Sequence, residues 1–404
     1  MSSTDFEWQT DEEEVVARPL AEPVAGQSRL PWRWIVGVLL LAMAVYAGIR
    51  WRTFQQTEAI TTDVKIAHSL LQEAEAAQDV ELLNLVLSGR DLGWQGAQQQ
   101  LLAEGNFASR PAFGLQALAP ADEAELEVAL SPDLAEVTVV SPQLFAVAGG
   151  GEVLLQQTAV YRQGTRNWLL APPEEAFWGQ TVITNTHYFT VTYPQRDAQL
   201  VQKITADLDR LFAERLCGRI LQCGNLALDL RFSPNPQSLV AVNDPMALLL
   251  MGDSLGLPTP TLVGLPVDEV GYMALARGYG AQVVTAVIAH LFAYECCEHA
   301  LITHALLTKQ ASELGLQTWP LTTANYKQLL NMPFRDKTAE EILLEPEMAS
   351  SASRAQAYAL VDFLMSETDW NPTQLLAALS GQGGAALYLP ELVQERDFVY
   401  QVGS

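Results

Sequence analysis

Basic residues are scarce in this chain. Among its 404 residues there are 23 Lys and Arg against 47 Asp and Glu, which gives a formal net charge of −24 at pH 7. No Lys- or Arg-rich cluster interrupts this acidic composition. Such a charge repels nucleic acid and anionic lipid headgroups and removes an electrostatic route to phosphate binding. We therefore predict that the protein does not bind nucleic acid.

Cysteine is also scarce, and none occurs in the first half of the chain. The four cysteines are Cys217, Cys223, Cys296 and Cys297. An even number fits two disulfides in an oxidising compartment, whereas four buried free thiols would behave as small hydrophobic side chains. We favour disulfides with a structural role, because no Cys-x-x-Cys motif is present. Adjacent cysteines on a helix point about 100° apart, so we prefer the two connectivities that join Cys217 and Cys223 to a predicted helix over residues 281–314.

The long apolar run of the sequence is Trp32–Trp51. The 16 residues between its two arginines carry no charge and would rise about 24 Å as a helix, slightly less than the ~30 Å hydrocarbon layer. Flanking arginines can extend to the interfaces, where tryptophan is also favoured. We therefore predict a transmembrane helix over residues 32–51 rather than a buried core helix. Its predicted interface anchors are Trp32, Arg33, Trp34, Arg50 and Trp51.

Positive charge does not fix the orientation of this helix, because three basic residues lie near it on each side. The expected disulfides place the C-terminal part outside the cytoplasm. A signal peptide cleaved near Val45–Ala47 is the rival interpretation, but its N-terminal region would be long and acidic. We predict a retained single-pass anchor, with membrane lipid as its partner and with residues 1–31 as a disordered acidic cytoplasmic tail.

The hydrophobic period changes twice after the span. Helical spacing over residues 53–77 and two shorter helices, one capped by Asp79, precede strand-like alternation. The strands are predicted over residues 125–130, 136–140, 154–161 and 168–171, with a turn at Gly149–Gly151. This order, with Tyr161-Arg162 and Trp168–Pro172, resembles the cone-shaped nuclear-transport-factor-2-like domains. The resemblance implies an α+β membrane-proximal domain over residues 53–175 that holds a small ligand or an adjacent domain.

A second domain is predicted over residues 176–404. Strands over residues 182–192 and 226–232 flank an amphipathic helix over 196–217, and a short extended segment over 258–266 follows. The remainder is mostly helical, with helices predicted over residues 281–314, 323–330, 339–344, 352–366 and 372–379. The His187–Pro194 strand, this element order and the Ala357–Leu364 segment resemble peptidase-MA-type (gluzincin-like) domains of bacterial envelope proteins. The resemblance implies an α+β, mostly helical, zincin-like fold.

The zinc motif of that family is missing. A His-Glu-x-x-His helix places two imidazoles on zinc beside a general-base Glu. With His290 as the second histidine, Ala286 and Val287 occupy the other two positions, and neither can bind metal or accept a proton. On one helix, His299 and His304 would diverge by about 140°, and His304 would stand about 21 Å from His290. The resemblance thus implies a peptidase-like fold without its chemistry, metal or cofactor.

A weaker catalytic hypothesis concerns Gly252–Gly256, which matches both a Gly-x-Ser-x-Gly nucleophile elbow and the first block of the Gly-Asp-Ser-Leu esterases. A glycine turn after a strand can expose the Ser254 oxygen and aim backbone N–H groups at an oxyanion. The other blocks of the esterase family are absent, since Asn243-Asp244 precedes the serine and no Asp-x-x-His occurs. We favour an ordinary turn and keep a hydrolase of Ser254 with His299 or His304 as the alternative.

These patterns predict a single-pass protein of the bacterial cell membrane with its N-terminus in the cytoplasm and its larger part extracytoplasmic. We expect a non-catalytic binding or scaffold protein on an inactivated peptidase-like fold, whose partner is an unidentified protein or envelope component. Two alternatives stay open. One is the Ser254-dependent esterase, and the other is a transmembrane signalling or regulatory protein that acts through its tail.

Overall fold

Helices and two β-sheets make up the structure, which is a computed structural model. The structure describes residues 32–118, 126–218, 221, 223–224, 226–244, 248, 254–292, 299–322, 351–367 and 375–376. The predicted tail and the predicted helices over 323–330 and 339–344 lie outside these described residues, as does most of the one over 372–379. Cys296 and Cys297 lie outside them as well.

The first helix, α1, extends without a break over Trp32–Ala77. Among the described residues it is the one helix long and apolar enough to cross a membrane, and none of its apolar window is buried. The predicted anchors Trp32, Trp34 and Trp51 are all exposed, and Arg50 Nε donates a hydrogen bond of 3.1 Å to the Tyr46 hydroxyl. The segment through Glu58 forms a unit of its own. The helix is therefore a candidate membrane span.

Two short helices follow, as the sequence predicts. Helix α2 covers Val80–Val86, and α3 covers Leu92–Ala103. The Asp79 carboxylate accepts hydrogen bonds from the backbone N–H groups of Glu81 and Leu82, which satisfies two donors at the start of α2. Asp91 caps α3 in the same way, through the N–H of Trp94.

The first sheet is an antiparallel meander that one distant strand joins. Its strands are β1 (Leu115–Ala117), β2 (Glu127–Leu130), β3 (Glu136–Val147), β4 (Glu152–Gln163), β5 (Trp168–Leu170) and β10 (Leu265–Pro266). The long pair β3–β4 is connected at Gly149–Gly151, where all three φ angles are positive, as the predicted glycine turn requires. The buried stripe of α1, which includes Val64, Ala67 and Leu71, packs with this sheet and α3 into one hydrophobic cluster. The predicted order of helices followed by a meander is therefore confirmed.

The second sheet has the order β6-β7-β8-β9. It consists of β6 (Thr181–Asn185), β7 (Phe189–Pro194), β8 (Leu228–Ser233) and β9 (Ser254–Pro258), of which the last three are parallel and β6 is antiparallel to β7. A short helix α4 (Glu175–Trp178) precedes it. The prediction of one strand over residues 182–192 is wrong, because the chain turns at Thr186–Tyr188. The Asp209 carboxylate from the next helix accepts hydrogen bonds from all three of these residues. The alternation of apolar and polar residues within 182–192 cannot predict this contact with a residue of another element.

The other described α-helices follow β7 in the chain. They are α5 (Ala198–Leu211), α6 (Gln237–Asn243), α7 (Pro260–Val263), α8 (Glu269–Leu291), α9 (Ala300–Glu313) and α10 (Ser351–Glu367). The extended segment predicted over 258–266 is instead the end of β9, α7 and β10. The single helix predicted over 281–314 is two helices. Helix α8 begins after its N-cap residue Asp268 and ends at Leu291. His299, the residue before α9, has a left-handed backbone with φ 58°. The helical spacing of apolar residues on either side of Glu295, Glu298 and His299 does not reveal such a break.

The disulfide differs from the preferred connectivities. Cys217 bonds to Cys223, with their Cα atoms 5.3 Å apart. Helix α5 ends in a π-helical turn over Phe212–Leu216, after which the Leu221 N–H donates to the Leu216 carbonyl and reverses the chain. The preferred bonds from Cys217 and Cys223 to the helix predicted over residues 281–314 are therefore wrong. A local turn already brings the two sulfur atoms together.

The described residues from Ala59 onward form one compact unit. The predicted division between residues 175 and 176 separates the two sheets, yet side chains from both sides share a core in which Phe113 meets Tyr279 with ring centroids 4.9 Å apart. Strand β10 also crosses the division when it pairs with β4. The domain division itself stays a prediction.

Candidate functional site

A cavity of about 150 Å³ is lined by the C-terminal half of α1, by α3 and the segment after it, by the first sheet, and by α4, α6 and α7. A cavity of this volume holds a molecule about the size of benzene. Its apolar lining includes the aromatic side chains of Trp94, Phe107, Phe177 and Trp178. Its polar lining includes His68, Glu75, Arg110, Gln143, Gln157 and Thr158.

Helix α1 contributes a polar stripe to this cavity. His68, Gln72 and Glu75 are spaced four and three residues apart, so they lie on one face of the helix. This stripe runs beside the apolar stripe that packs into the cluster of the first sheet. The same packing that buries α1 therefore carries a histidine and a carboxyl group into the protein.

His68 is held by Tyr161, a residue of β4. The two side chains are buried, and His68 Nδ1 lies 2.9 Å from the tyrosine hydroxyl. Burial lowers the pKa of His68 to about 4, so the ring is neutral at pH 7. The hydroxyl has no other hydrogen-bond partner among the described residues, and in the tautomer in which it donates to Nδ1 the ring hydrogen lies on Nε2. That Nε2 atom is buried without a partner.

Arg110 is a buried cation in the cavity wall, with 7% of its surface exposed. Its Nη1 donates to the carbonyl oxygens of Phe107 and Ser109 at 2.8 and 2.9 Å, and its Nη2 donates to that of Leu262 at 3.2 Å. Burial lowers its pKa to about 10, against the opposing effect of Glu75, and the guanidinium remains charged at pH 7. Its Nε has no hydrogen-bond partner.

Glu75 is the acidic counterpart of Arg110. Burial raises the pKa of its carboxyl group, and the positive charge of Arg110 acts in the opposite direction. Its carboxylate accepts no hydrogen bond from the described residues. Arg110 and Glu75 are the only Arg, Lys, Asp or Glu side chains in the described lining of the cavity. The wall thus carries one basic and one acidic side chain.

Unpaired hydrogen-bonding groups concentrate at this cavity. Thr158 Oγ1 joins His68 Nε2 and Arg110 Nε as a buried polar atom without a partner, and all three residues belong to the lining. Native proteins leave few buried polar groups unsatisfied, and a bound molecule is one way to satisfy them. Each of the three can donate a hydrogen bond. The arrangement can therefore bind a small molecule that carries acceptor oxygens.

The serine of the predicted nucleophile elbow lies in a different setting. Ser254 is the first residue of β9 and pairs with Asp229 of β8. A nucleophile elbow places its serine on a turn that follows a strand, whereas this serine begins one. Gly252 and Asp253 lie outside the described residues.

Ser254 and His304 do not line a common cavity among the described residues. His304 lies in α9 and lines a second cavity of about 560 Å³, and Ser254 is not among the lining residues. His304 Nδ1 lies 3.5 Å from the Tyr358 hydroxyl oxygen. Burial lowers the pKa of His304 to about 4. His299 immediately precedes α9.

The positions that carry zinc chemistry in gluzincins lie on α8. His290 is in its last turn, and Ala286 and Val287 are buried in the hydrophobic core. In the part of the chain that the structure describes, no group of three or more His, Cys, Asp or Glu side chains is placed to hold a metal ion.

No protein-family model, curated protein or solved structure matches this chain. The resemblances to nuclear-transport-factor-2-like and peptidase-MA-type domains therefore stay predictions. The candidate site depends on its own geometry alone.

Sequence reasoning missed the polar groups of this cavity. A usable signal was present, because His68 and Glu75 follow the helical spacing of the buried α1 positions. A second signal lies in β3, where the inward-facing series changes from Val137 and Val139 to Ser141 and Gln143. Polar residues at inward positions of a strand cost free energy unless they have partners, and they often mark a site. No comparable signal precedes Arg110.

Proposed function

We propose that this protein is a non-catalytic, membrane-anchored binding protein that holds a small polar ligand in the cavity beside α1. The observation that carries this proposal is the set of unpaired buried groups of His68, Arg110 and Thr158 around one aromatic-lined cavity. Ligand sites combine apolar walls with a few polar groups that fix the orientation of the ligand, and this cavity has both.

The proposed location is the bacterial cell membrane, with α1 as a single span and the tail in the cytoplasm. The apolar part of α1 supports the anchor, because it is uncharged and flanked by tryptophans. The Cys217–Cys223 bond supports an extracytoplasmic position for the rest of the chain, since disulfides persist in oxidising compartments.

Binding is proposed in preference to hydrolysis because of where the candidate catalytic residues lie in the fold. Ser254 begins a strand, and the positions expected for zinc chemistry hold the buried side chains of Ala286 and Val287. We propose that residues 176–404 derive from a peptidase-like fold whose reactive centre has been replaced by core side chains.

A cavity-filling variant tests the proposal. Ala159 lines the cavity from β4, and Ala159→Leu would occupy part of its volume. We expect full-length protein purified from membranes in mild detergent to release a small polar molecule on denaturation, detected by mass spectrometry, and the variant to release much less. Ala103→Leu, at the exposed end of α3, is the matched control and should resemble the parent. Equal amounts from all three proteins, or none from any, would count against the proposal.

The hydrolase alternative has a separate test. Labelling with a fluorophosphonate probe that disappears in Ser254→Ala would establish a reactive serine and overturn the non-catalytic assignment. Metal analysis of the same purified protein addresses zinc, because stoichiometric zinc would contradict the argument from Ala286 and Val287.

Signalling across the membrane is a second candidate, favoured by one observation. The helix that contains the candidate span, Trp32–Ala77, also contains His68 and Glu75 of the cavity. A deletion of residues 1–31 that preserves membrane localisation and ligand binding but abolishes a cellular response would support this function. An unchanged response would exclude a role for the tail.

A further inference from the structure

We infer that the ligand of this cavity is a small zwitterion, namely an α-amino acid with an apolar side chain, whose carboxylate meets Arg110 and His68 and whose ammonium group meets Glu75. This inference rests on the proposed function and names the ligand class. The juxtaposition that supports it is one guanidinium, one carboxyl group and one neutral imidazole around a cavity whose other walls are aromatic, aliphatic, amide and hydroxyl side chains.

The charges of the lining favour a molecule with both signs. A simple carboxylate would gain the attraction of Arg110 but would meet the like charge of Glu75, and a simple ammonium ion would face the reverse problem. A neutral ligand without acceptor and donor groups would leave the Arg110 Nε–H and the Glu75 carboxylate without hydrogen-bond partners in a poorly solvated space, which is costly. A zwitterion satisfies both groups at once.

The polarity of the unpaired atoms agrees with this assignment. Arg110 Nε–H and His68 Nε2–H are donors without acceptors, as a carboxylate ligand would require. The Glu75 carboxylate is an acceptor without a donor, as an ammonium group would require. Thr158 Oγ1 adds a further unpaired donor.

The positive group is fixed before any ligand arrives. The Nη atoms of Arg110 are bonded to backbone carbonyls of the 107–109 segment and of Leu262, so the guanidinium cannot swing away from the wall. Preorganisation of this kind reduces the entropy that binding would otherwise cost.

The volume and the aromatic walls restrict the side chain of the ligand. About 150 Å³ admits a compact molecule, and the Trp94 and Trp178 rings favour an alkyl group over a charged one. Alanine, valine and leucine are therefore the probes, and arginine or glutamate should not fit.

Calorimetric titration of the full-length protein in detergent tests the inference with matched ligands. Valine, 2-hydroxyisovalerate and valinamide have the same carbon skeleton but carry both charges, only the negative one and only the positive one. The protein is first unfolded and refolded, or extensively dialysed, to remove bound molecules. We expect at least one of alanine, valine and leucine to bind, and its hydroxy acid and amide to bind at least about tenfold more weakly.

Variants of α1 assign the ammonium contact. Glu75→Gln should weaken amino-acid binding by at least about tenfold and should bring the amino acid and its hydroxy acid to similar affinities. Glu73→Gln changes an exposed carboxylate two residues away on the same helix and should leave binding unchanged. Thr158→Val, which is nearly isosteric, should weaken binding of the amino acid and of the hydroxy acid alike. These variants avoid Arg110, whose replacement is expected to disturb folding.

The outcomes separate this inference from the proposed function. Equal binding of an amino acid and its hydroxy acid, an unchanged affinity in Glu75→Gln, or no binding of any of the three amino acids would each overturn the zwitterion assignment. If a molecule of another class is nevertheless released from the parent protein and lost in Ala159→Leu, the proposed binding function stands. If nothing binds and nothing is released, both fall.

Discussion

Arg110 shows how a single charged residue can join two parts of this chain. Its guanidinium bonds carbonyls of its own segment and also Leu262, which follows β9. Gln157 makes a parallel link, because its Nε2 donates to the Val263 carbonyl at 3.0 Å. A buried charge is costly to desolvate, and these hydrogen bonds offset that cost without removing the charge.

The pH dependence of stability should report the burial of His68. The pKa of His68 is lowered from an ordinary 6.5 to about 4, so between these pH values the unfolded chain binds a proton that the folded protein does not. The free energy of unfolding should therefore fall as the pH falls from 6.5 to 4, by up to about 3 kcal/mol from this residue. His68→Gln should remove that part of the slope, as measured by urea unfolding of the full-length protein in detergent at several pH values.

The exposed His187 provides the control for this experiment. His187→Gln should keep the acid dependence of the parent. His304, whose pKa is also lowered to about 4, contributes equally to the parent and to both variants and so cancels in the comparison. Identical slopes for the parent and His68→Gln would mean that the imidazole is not held neutral by burial.

Individual site residues were the part of this protein that the sequence predicted least well. The environment of His68 is created by Tyr161, which lies 93 positions away in the chain, and that of Arg110 by a carbonyl 152 positions away. Local spacing shows that His68 lies on the buried face of α1, but it carries no information about which side chain faces it.

At the scale of elements, capping and turn chemistry made several predictions succeed. Asp79 and Gly149–Gly151 act through hydrogen bonds and backbone angles within a few residues, so their effect can be read locally. The turn at Thr186–Tyr188 and the break between α8 and α9 were missed. The first depends on Asp209 of another element, and the second depends on the left-handed backbone of His299, which helical spacing does not predict.

The contribution of a capping residue to stability can be measured at Asp79, the N-cap of α2. Asp79→Ala removes the acceptor for two backbone N–H groups, at 2.9 and 3.0 Å. We expect a loss of about 1 kcal/mol in the free energy of unfolding. Asp79→Asn should recover most of that loss, since its side-chain oxygen still caps the helix. A loss of equal size in both variants would indicate that charge rather than the hydrogen bonds stabilises this end.

Helix α8 packs closely against the turn at Pro111–Phe113, and Gly278 makes the approach possible. A Cβ atom at this position would lie 2.6 Å from Phe113 Cδ1 and 2.9 Å from its Cα. Gly278→Ala should therefore destabilise the protein by about 1–3 kcal/mol, despite the higher helix propensity of alanine. The same substitution in α3, Gly96→Ala, meets no atom within 4 Å and should stabilise it by up to about 1 kcal/mol. Thermal unfolding of the two variants should give opposite shifts.

At the scale of the whole molecule, most of the first sheet was predictable, but most of the second sheet and the union of the two were not. Period-two alternation identified β2 to β5 and β8 but merged β6 with β7, and helical spacing identified the buried stripe of α1 and helix α5. The pairing of β10 with β4 joins residues more than one hundred positions apart through only two residues. A two-residue strand has no period to detect. The candidate cavity is lined by residues from both sides of the predicted domain division. Local patterns in the sequence could therefore not predict it.

The topology proposal has a consequence for the reactivity of Cys217 and Cys223. In a Cys296→Ser, Cys297→Ser background these two are the only cysteines of the chain, and their bond blocks a thiol-specific maleimide. Intact cells should therefore show no labelling by a membrane-impermeant maleimide, and strong labelling after an impermeant phosphine reductant is added. A cysteine placed in the tail by Ser2→Cys, with Cys217 and Cys223 also changed to Ser, should be labelled only after lysis. The reverse pattern, with an accessible tail and a shielded pair that is already reduced, would place the large unit in the cytoplasm, where a stable disulfide is not expected.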